Sequence, residues 1–290
     1  MKKKIRIIIN PISGTNKQIK AEKAIEANLN TEMFDSEIVY SNKKGHLTTL
    51  AKDAVEKNYD AVIVVGGDGS INEAAQGLIG SKTSLGIIPI GSGNGFARHL
   101  NIPMSLPNAV ERINQFRIKS VDTVKVNEQS FVSISGLGFD AHIAEKFSLA
   151  KGRGLWNYTK ISIREFFSYS EKEYTISIDE TTFEKKAFMI VSANANQFGN
   201  NFVIAPQAKI DDGQLDVCFV SKPELLQIPY VLFKILKKEI DQTKFVQIKK
   251  AKKIKIELND KVFMNIDGEA IQQSKIINIA INPLSLSVIY

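Results

Sequence analysis

Residues 64–73, VVGGDGSINE, have the composition of an anion-binding turn. The pattern predicts that they follow a buried strand and begin a helix. Glycines let the backbone approach a ligand closely, and a helix N-terminus offers unpaired N–H groups and a positive dipole end to a phosphate. The spacing fits neither a Walker loop nor a dinucleotide fingerprint. A plain turn with Asp68 as a helix cap is the alternative, but the whole string favours a phosphate site.

A second glycine-rich turn follows at residues 89–98, PIGSGNGFAR, and also joins a strand to a short helix. A third turn, at residues 10–14 (NPISG), ends the first strand of the chain. Turns that follow neighbouring parallel strands meet at one edge of the sheet, where open α/β sheets bind ligands. The three turns therefore predict one crevice.

Two acidic turns occur much later in the chain, at Asp211-Asp212-Gly213 and at Asp267-Gly268-Glu269. Phosphoryl transfer needs positioning and neutralised charge. Carboxylates can hold magnesium, and a further carboxylate can accept the proton of an attacking hydroxyl. For the second turn the alternative is a simple hairpin between strands 261–266 and 274–280, because Asp-Gly favours such turns.

Further strings complete a pattern: Val121-Asp122, residues 136–140 (GLGFD), Ala205-Pro206 and residues 265–269 (NIDGE). Jointly, these strings and the glycine turns resemble the catalytic domain of diacylglycerol kinases, which sphingosine and ceramide kinases share. The resemblance covers nearly the whole chain. It implies an α/β first domain similar to phosphofructokinase and NAD kinase, a β-sandwich second domain, and ATP- and Mg²⁺-dependent phosphorylation of diacylglycerol or a related sphingoid or glycerolipid.

The resemblance also assigns roles to individual residues. It implies that ATP lies against Asn10, Pro11, Ser13, Gly14, Ser41, Gly67, Asp68, Gly69, Ser70, Asn72, Glu73 and Ser92. It implies that magnesium is held by the carboxylate of Asp212 and the backbone carbonyls of Lys209 and Gln214. Asp267 and Glu269 match the acidic pair of the catalytic centre, with Glu269 as the proton acceptor, and Asp68 and Asp122 match further acidic members.

The chain departs from the family pattern at Gly95. Many bacterial diacylglycerol kinase relatives carry an aspartate there, whereas eukaryotic sphingosine kinases have a small residue. The acidic network around Asp212 therefore has one carboxylate fewer, and the acceptor lipid stays open between glycerolipids and sphingoid lipids.

Composition narrows the class of protein further. The 290 residues are 43% hydrophobic and 24% charged, with a net charge of +7, which suits two globular domains and an anionic partner of unspecified kind. Cys218 is the only cysteine, so we expect a buried thiol and no internal disulfide. Three histidines without ligand spacing do not favour zinc. The N-terminal apolar stretch is too short for a signal peptide, so we expect a cytoplasmic protein.

Strand and helix patterns predict two domains. The first ~115 residues alternate buried strands with helices, which implies a parallel sheet covered by helices. Later residues predict short neighbouring strands, typical of an antiparallel sandwich. We therefore predict a nucleotide-binding α/β domain at residues 1–120, with 281–290 as a candidate return strand, and a lipid-binding β-sandwich at residues 121–280.

Two apolar helices interrupt the predicted sandwich, near residues 155–169 and 223–239. The first is rich in aromatic residues, and lysines follow the second at 244, 249, 250, 252, 253 and 255. Such helices suit an anionic membrane surface, although core helices beside a solvated lysine edge are an equal alternative. We expect a peripheral enzyme that meets its lipid substrate at the membrane, and a homodimer is compatible with the sequence.

Three other functions compete with a lipid kinase. A soluble small-molecule kinase of the NAD kinase type also uses Gly-Gly-Asp-Gly, but the Asp267-Gly268-Glu269 string and the aromatic helix argue against it. A non-catalytic nucleotide sensor would not need the acidic residues. Nucleic-acid binding has the weakest support, because the lysines are not interleaved with stacking aromatic residues.

Overall fold

The computed structural model describes residues 2–11, 13, 17–150 and 155–290. The chain forms two compact units: an N-terminal unit of Met1–Thr123 with Pro283–Tyr290, and a C-terminal unit of Val124–Asn282. The strand and helix patterns alone predict a boundary at residue 120 and a return strand in residues 281–290.

The secondary-structure elements follow one another along the chain. The first ten are β1 (Lys3–Ile9), α1 (Lys17–Asn28), β2 (Phe34–Tyr40), α2 (His46–Glu56), β3 (Ala61–Gly66), α3 (Asp68–Leu78), β4 (Ser84–Pro89), α4 (Gly95–His99), α5 (Leu106–Gln115) and β5 (Ile118–Val126). There follow β6 (Gln129–Phe131), β7 (Ile134–Gly138), α6 (Phe139–Leu149), α7 (Leu155–Ser168), β8 (Lys172–Ile178), β9 (Thr181–Ala187), β10 (Met189–Ala193), β11 (Leu215–Val220), α8 (Ile228–Leu236), β12 (Val246–Ala251), β13 (Lys253–Glu257), β14 (Val262–Ile266), β15 (Glu269–Gln273) and β16 (Ile276–Ile289). Short 3₁₀ turns lie at Leu225–Gln227 and Ile240–Gln242.

The N-terminal unit contains a parallel sheet in the order β2-β1-β3-β4. The end of β16 continues it, with Val288 parallel to Leu85 of β4. Strands β3 and β4 are buried along their whole length, as expected of apolar runs covered on both faces. Because all four strands run in one direction, the turns that follow them lie along one edge of the sheet.

Helix α3, which follows the first glycine turn, is held by close packing. Its buried face consists of Ser70, Ile71, Ala74, Ala75 and Leu78. Gly77 faces α2 so closely that a Cβ at this position would lie 2.7 Å from the carbonyl oxygen of Thr48. The position of the helix N-terminus is thus set by a helix pair that tolerates no side chain at Gly77.

The C-terminal unit is built from two antiparallel layers. One is the six-stranded sheet β12-β11-β10-β7-β14-β15. In the other, the first part of β16 pairs with β13, β13 with β8, and β8 with β9. Apolar side chains of both layers form one buried core, including Val217, Phe219, Ile254, Ile256 and Ile277. This arrangement confirms the predicted fold class of a parallel α/β unit followed by an antiparallel sandwich.

Several elements differ from the sequence-based prediction. The sequence pattern predicts one continuous strand at residues 183–193, where the structure has two, β9 and β10. Strands β12 and β15 and helices α5 and α6 were not predicted. In the part of the chain that the structure describes, no helix is both long and apolar enough to span a bilayer.

Candidate active site

In the N-terminal unit, the turn after β3 leads directly into α3. Gly67 is the N-cap residue, its position carries no side-chain cap, and the helix begins at Asp68. The first N–H groups of a helix have no partner within it, and the helix dipole adds positive potential there. The N-terminus of α3 therefore has the electrostatic character of an anion site.

The two glycine turns of this unit touch each other. A Cβ on Gly91 would lie 2.5 Å from the Cα of Gly67, so neither turn has room for a larger residue at the contact. Oδ2 of Asp68 accepts a hydrogen bond from the backbone N–H of Asn94 at 2.7 Å. Asp68 is the first residue of the helix rather than its N-cap. Its carboxylate joins the first glycine turn to the second.

The turn after β1 meets the same helix. Nδ2 of Asn10 donates to Oγ of Ser70 at 2.9 Å, and Oγ of Ser13 lies 3.3 Å from that Oγ. Beyond β2, the N–H of Ser41 donates to the carbonyl of Ile9 at 3.0 Å. The structure thus gathers Asn10, Ser13, Asp68 and Ser70 at the predicted edge of the sheet.

Other residues expected to hold ATP are either exposed or make hydrogen bonds elsewhere. Ser92 is exposed one residue after Gly91, and Pro11 is exposed beside Asn10. Glu73 turns toward α2, where its Oε1 accepts the N–H of Gly45. Asn72 accepts a hydrogen bond from Gln76 at 3.2 Å. Gly69 lies in the first turn of α3, and Gly14 lies outside the described residues.

In the C-terminal unit, Asp267 and Gly268 form a two-residue hairpin turn between β14 and β15. Both residues have positive φ, 46° and 91°, which is the backbone of a type I′ turn. Glu269 begins β15 and pairs with Ile266. The hairpin predicted from Asp-Gly is therefore present, but its second strand is Glu269–Gln273 rather than residues 274–280.

The Asp267 carboxylate is held by backbone groups of one neighbouring segment. Its two oxygens accept N–H groups from Val132 at 2.9 Å, Ser133 at 3.0 Å and Ile134 at 2.9 Å. The side chain is only 5% exposed. A buried carboxylate that accepts three backbone N–H bonds is compensated as an anion and fixes the hairpin to the segment before β7.

The sequence analysis did not identify two buried polar residues beside this hairpin, Asn265 and Asp140, as site residues. Both lie in strings that carry the resemblance, residues 265–269 and 136–140. Asn265 on β14 donates through Nδ2 to both carboxylate oxygens of Asp140, at 3.0 and 2.9 Å. Burial raises the pKa of Asp140 to about 7, although the hydrogen bond from Asn265 opposes this shift. The only signal in the sequence was a polar residue inside the apolar run of β14.

Asp212 is the carboxylate predicted to hold magnesium. Its Oδ1 accepts the N–H of Gln214 at 3.1 Å, and its Oδ2 pairs with the ammonium of Lys250 at 2.8 Å. Lys250 also lies 3.6 Å from Oδ2 of Asp216, whose carboxyl pKa is raised by burial.

The carboxylate of Asp212 is therefore already paired with a lysine ammonium, whose positive charge opposes a magnesium ion at this carboxylate. Within the described residues, no group of three His, Cys, Asp or Glu side chains could hold a metal. The ligand set of Asp212, Lys209 and Gln214 stays a prediction.

Asp122 lies in the N-terminal unit and is fully buried. Its Oδ1 accepts the N–H of Leu284 at 2.7 Å, so it ties β5 to the end of β16. The resemblance assigns Asp122 to an acidic network. The described contact gives it a role in holding two strands together.

Comparisons with known proteins found similarity along nearly the whole chain. Residues 4–126 match the family profile described as the Diacylglycerol kinase catalytic domain. Residues 133–290 match the profile described as the YegS C-terminal NAD kinase beta sandwich-like domain.

Relatives and solved structures extend this finding. A diacylglycerol kinase of Staphylococcus saprophyticus is 28% identical over 273 residues, covering 93% of this chain and 90% of that protein. One of Bacillus subtilis is 28% identical over 274 residues, covering 92% and 90%. The crystal structure of a diacylglycerol kinase from Bacillus anthracis strain Sterne has a TM-score of 0.76 at 24% identity, covering 99% of this chain and 97% of that one. This last likeness concerns the fold.

Proposed function

Since the chain belongs to the diacylglycerol kinase catalytic-domain family, we propose that this kinase transfers the γ-phosphate of ATP to a hydroxyl of diacylglycerol or of a related glycero- or sphingoid lipid. The relatives' names support the kinase class. The lipid acceptor and its membrane setting are supported by the exposed apolar residues of α8.

The phosphate donor is assigned to the N-terminal unit. Phosphates of ATP bind at the N-terminus of α3, where the two glycine turns bring backbone N–H groups close to a ligand. Asp68 holds the second turn in place through Asn94, and Asn10 holds Ser70. Magnesium enters as the ATP complex and neutralises phosphate charge.

Glu269 is assigned as the proton acceptor for the attacking hydroxyl. Both oxygens of Asp267 already accept backbone N–H bonds, so Asp267 is assigned to positioning. Glu269 is half-buried on the first residue of β15 and carries the second carboxylate of the turn. A positioned carboxylate of this kind is a suitable general base for an alcohol.

One observation favours a lipid acceptor over a soluble one, namely the exposed apolar face of α8. The inner side of this helix packs Val231 and Ile235 against the core. Its outer side presents Leu232, Phe233 and Leu236, and the preceding 3₁₀ turn leaves Leu226 91% exposed. Clustered apolar exposure of this kind marks a binding surface.

The surroundings of α8 favour an anionic bilayer as the partner. Lys237, Lys238 and Lys244 are exposed at the end of the helix and after it. Phe167 of α7 and Leu225 line one open cavity of about 460 Å³ together with Lys222, so apolar residues of α7 continue the surface. An apolar helix flanked by lysines binds anionic headgroups and inserts its apolar face.

Vesicle sedimentation tests this surface. We expect binding to phosphatidylcholine vesicles that contain phosphatidylglycerol, and loss of binding when Leu226, Leu232 and Leu236 are all changed to Ser. Ile19→Ser, which alters an exposed residue of α1, is the matched control. Light scattering of both variants measures whether a homodimer forms, and a change of mass only in the triple variant would assign the apolar face to a second copy instead.

A phosphorylation panel tests the function itself. Radiolabelled ATP is supplied with diacylglycerol, phosphatidylglycerol, sphingosine or ceramide in mixed micelles, and with NAD in solution. We expect label in a lipid and none in NAD. Label in NAD alone would instead support a soluble kinase of the NAD kinase type, the alternative that the Gly-Gly-Asp-Gly string leaves open.

A further inference from the structure

A chain of three hydrogen-bonding groups lies behind the hairpin of the C-terminal unit. The N–H of Gly268 donates to Oδ1 of Asn265 at 2.9 Å. Nδ2 of Asn265 then donates to both oxygens of Asp140, at 3.0 and 2.9 Å. Asn265 and Asp140 are each 5% exposed. A buried polar chain of this kind connects the first turn of α6 to the residue that precedes Glu269.

The orientation of the Asn265 amide is fixed by its partners. A backbone N–H can only donate, so the amide oxygen must face Gly268. The amide nitrogen then faces Asp140, which accepts through its carboxylate or, when protonated, through its carbonyl oxygen. Each group has one consistent role, and the chain of hydrogen bonds survives titration of Asp140.

Gly136 makes room for this chain. It lies on β7 directly opposite Asn265 in the strand pairing, and a Cβ at this position would overlap the Asp140 carboxylate. The glycine of the GLGFD string therefore lets a side chain of α6 reach a side chain of β14. The site is built by two consecutive elements, β7 and α6, and by β14, which is distant in sequence.

We propose that Asp140 and Asn265 are positioning residues for Glu269 that act through the backbone of Gly268. This inference rests on the proposed role of Glu269 as proton acceptor. The side chain of Asp267 anchors its own residue to the segment before β7. Asn265 anchors the next residue of the turn, Gly268. With both turn residues held, the direction in which Glu269 leaves the turn is set, and a misplaced general base can lose about 10²-fold in rate.

Exchanging the two side chains provides the test. Asn265→Asp keeps the acceptor for Gly268 but brings a second carboxylate against Asp140, so we expect kcat to fall by about 10²-fold with little change in the KM for ATP. Adding Asp140→Asn places an amide donor opposite the new carboxylate at position 265. The hydrogen bond then forms again, with donor and acceptor exchanged. We expect the double exchange to recover most of the lost kcat.

Asn127→Asp is the matched control. Asn127 also sits at a hairpin with positive φ, accepts a backbone N–H from Asn278 at 3.0 Å, and donates to Gln273 at 2.9 Å. It lies between β5 and β6 and has no contact with Asp267-Gly268-Glu269 among those described. We expect this variant to lower Tm while kcat per folded molecule stays unchanged.

Two further measurements separate positioning from mere stability. In a Glu269→Gln background, Asn265→Asp should cause no additional loss of kcat, because the group it positions is gone. Hydrogen exchange at the Gly268 amide should accelerate in Asn265→Asp and recover in the double exchange, whether or not the enzyme is turning over.

The outcomes are distinct. Faster exchange with an unchanged kcat, or a full additional loss in the Glu269→Gln background, would overturn the positioning role. Unchanged exchange would overturn the hydrogen-bond chain itself. If the unaltered protein phosphorylated no acceptor of the panel, the proposed function would fall, and with it the inference, even where exchange behaves as expected.

Discussion

Two acidic turns of the C-terminal unit share the same kinds of residue but differ in their surroundings. Asp211-Asp212-Gly213 and Asp267-Gly268-Glu269 each combine two carboxylates with a glycine of positive φ, 68° at Gly213 and 91° at Gly268. The Asp267 carboxylate accepts three backbone N–H groups. The Asp212 carboxylate pairs with Lys250, a side chain that is 41% exposed.

The difference shows how burial selects the partner of a carboxylate. A buried anion is stabilised by fixed dipoles, which cost no side-chain entropy when they bind it. A carboxylate at the surface can be satisfied by a flexible lysine, and such a pair contributes little to stability. The buried turn is therefore the one able to hold a reacting group in a defined direction.

The largest effect is expected at Glu269. Glu269→Gln keeps the shape of the side chain and removes the charge that accepts the proton, so kcat should fall by about 10²–10⁴-fold. ATP affinity and Tm should change little. The matched substitution at the surface turn, Asp211→Asn, should leave kcat as it is. Near-normal turnover of Glu269→Gln would transfer the base role to Asp267 or Asp68.

Asp267→Asn should give the next largest effect, this time on stability. The new amide nitrogen would face a backbone N–H, so one buried donor loses its acceptor. This loss should lower the free energy of unfolding by about 1–3 kcal/mol. Urea denaturation measures the loss. Asp212→Asn, unfolded in parallel, should cost less. Equal losses in the two variants would remove the contrast between the turns.

The pH dependence of stability should also differ near the buried turn. Asp140 has its pKa raised by burial from 3.8 to about 7, and Tyr158 of α7 has its own pKa raised by burial and by the charge of Asp140. The folded state binds the Asp140 proton more tightly than the unfolded chain does, so the free energy of unfolding should fall as pH rises from about 4 to about 7.

Asp140→Asn removes this titration, and urea unfolding at several pH values should then show a flatter profile. A profile as steep as that of the unaltered protein would mean that Asp140 does not titrate in this range.

The smallest effect is expected at the surface turn. Lys250→Met removes the ammonium between Asp212 and Asp216, at a cost of about 0–1 kcal/mol. The freed carboxylates should then bind a divalent cation, so magnesium should raise the Tm of this variant more than that of the unaltered protein.

The opposite result would restore the magnesium site implied by the resemblance. In that case magnesium would raise the Tm of the unaltered protein, Asp212→Ala would abolish the rise, and Lys250→Met would add nothing to it.

Much of the fold could be predicted because local patterns carry it. The apolar runs of β1, β3 and β4 and the glycine turns after β3 and β4 are contiguous in sequence. Strand β12 (VQIKKA) and strand β15 (EAIQQ) were missed because their exposed polar residues obscure the alternation. Their strand character depends on pairing with β11 and β14 rather than on their own composition.

The same limit applies to the candidate site. Contiguous strings predicted Asp68, Asp267 and Glu269, but the pairing of Asn265 with Asp140 joins residues 125 positions apart. Likewise, nothing in Asp211-Asp212-Gly213 indicates that Lys250 lies beside it. Which partner a polar side chain finds is decided by tertiary packing.

Strand β16 has a consequence for how the protein is made. Its last residues, within Pro283–Tyr290, belong to the N-terminal unit, where Val288 pairs with Leu85 and the N–H of Leu284 donates to Asp122. During synthesis the first 123 residues leave the ribosome long before these partners exist, because chains emerge from the N-terminus. The N-terminal unit therefore stays incomplete at one edge until all of the C-terminal unit, Val124–Asn282, has been translated.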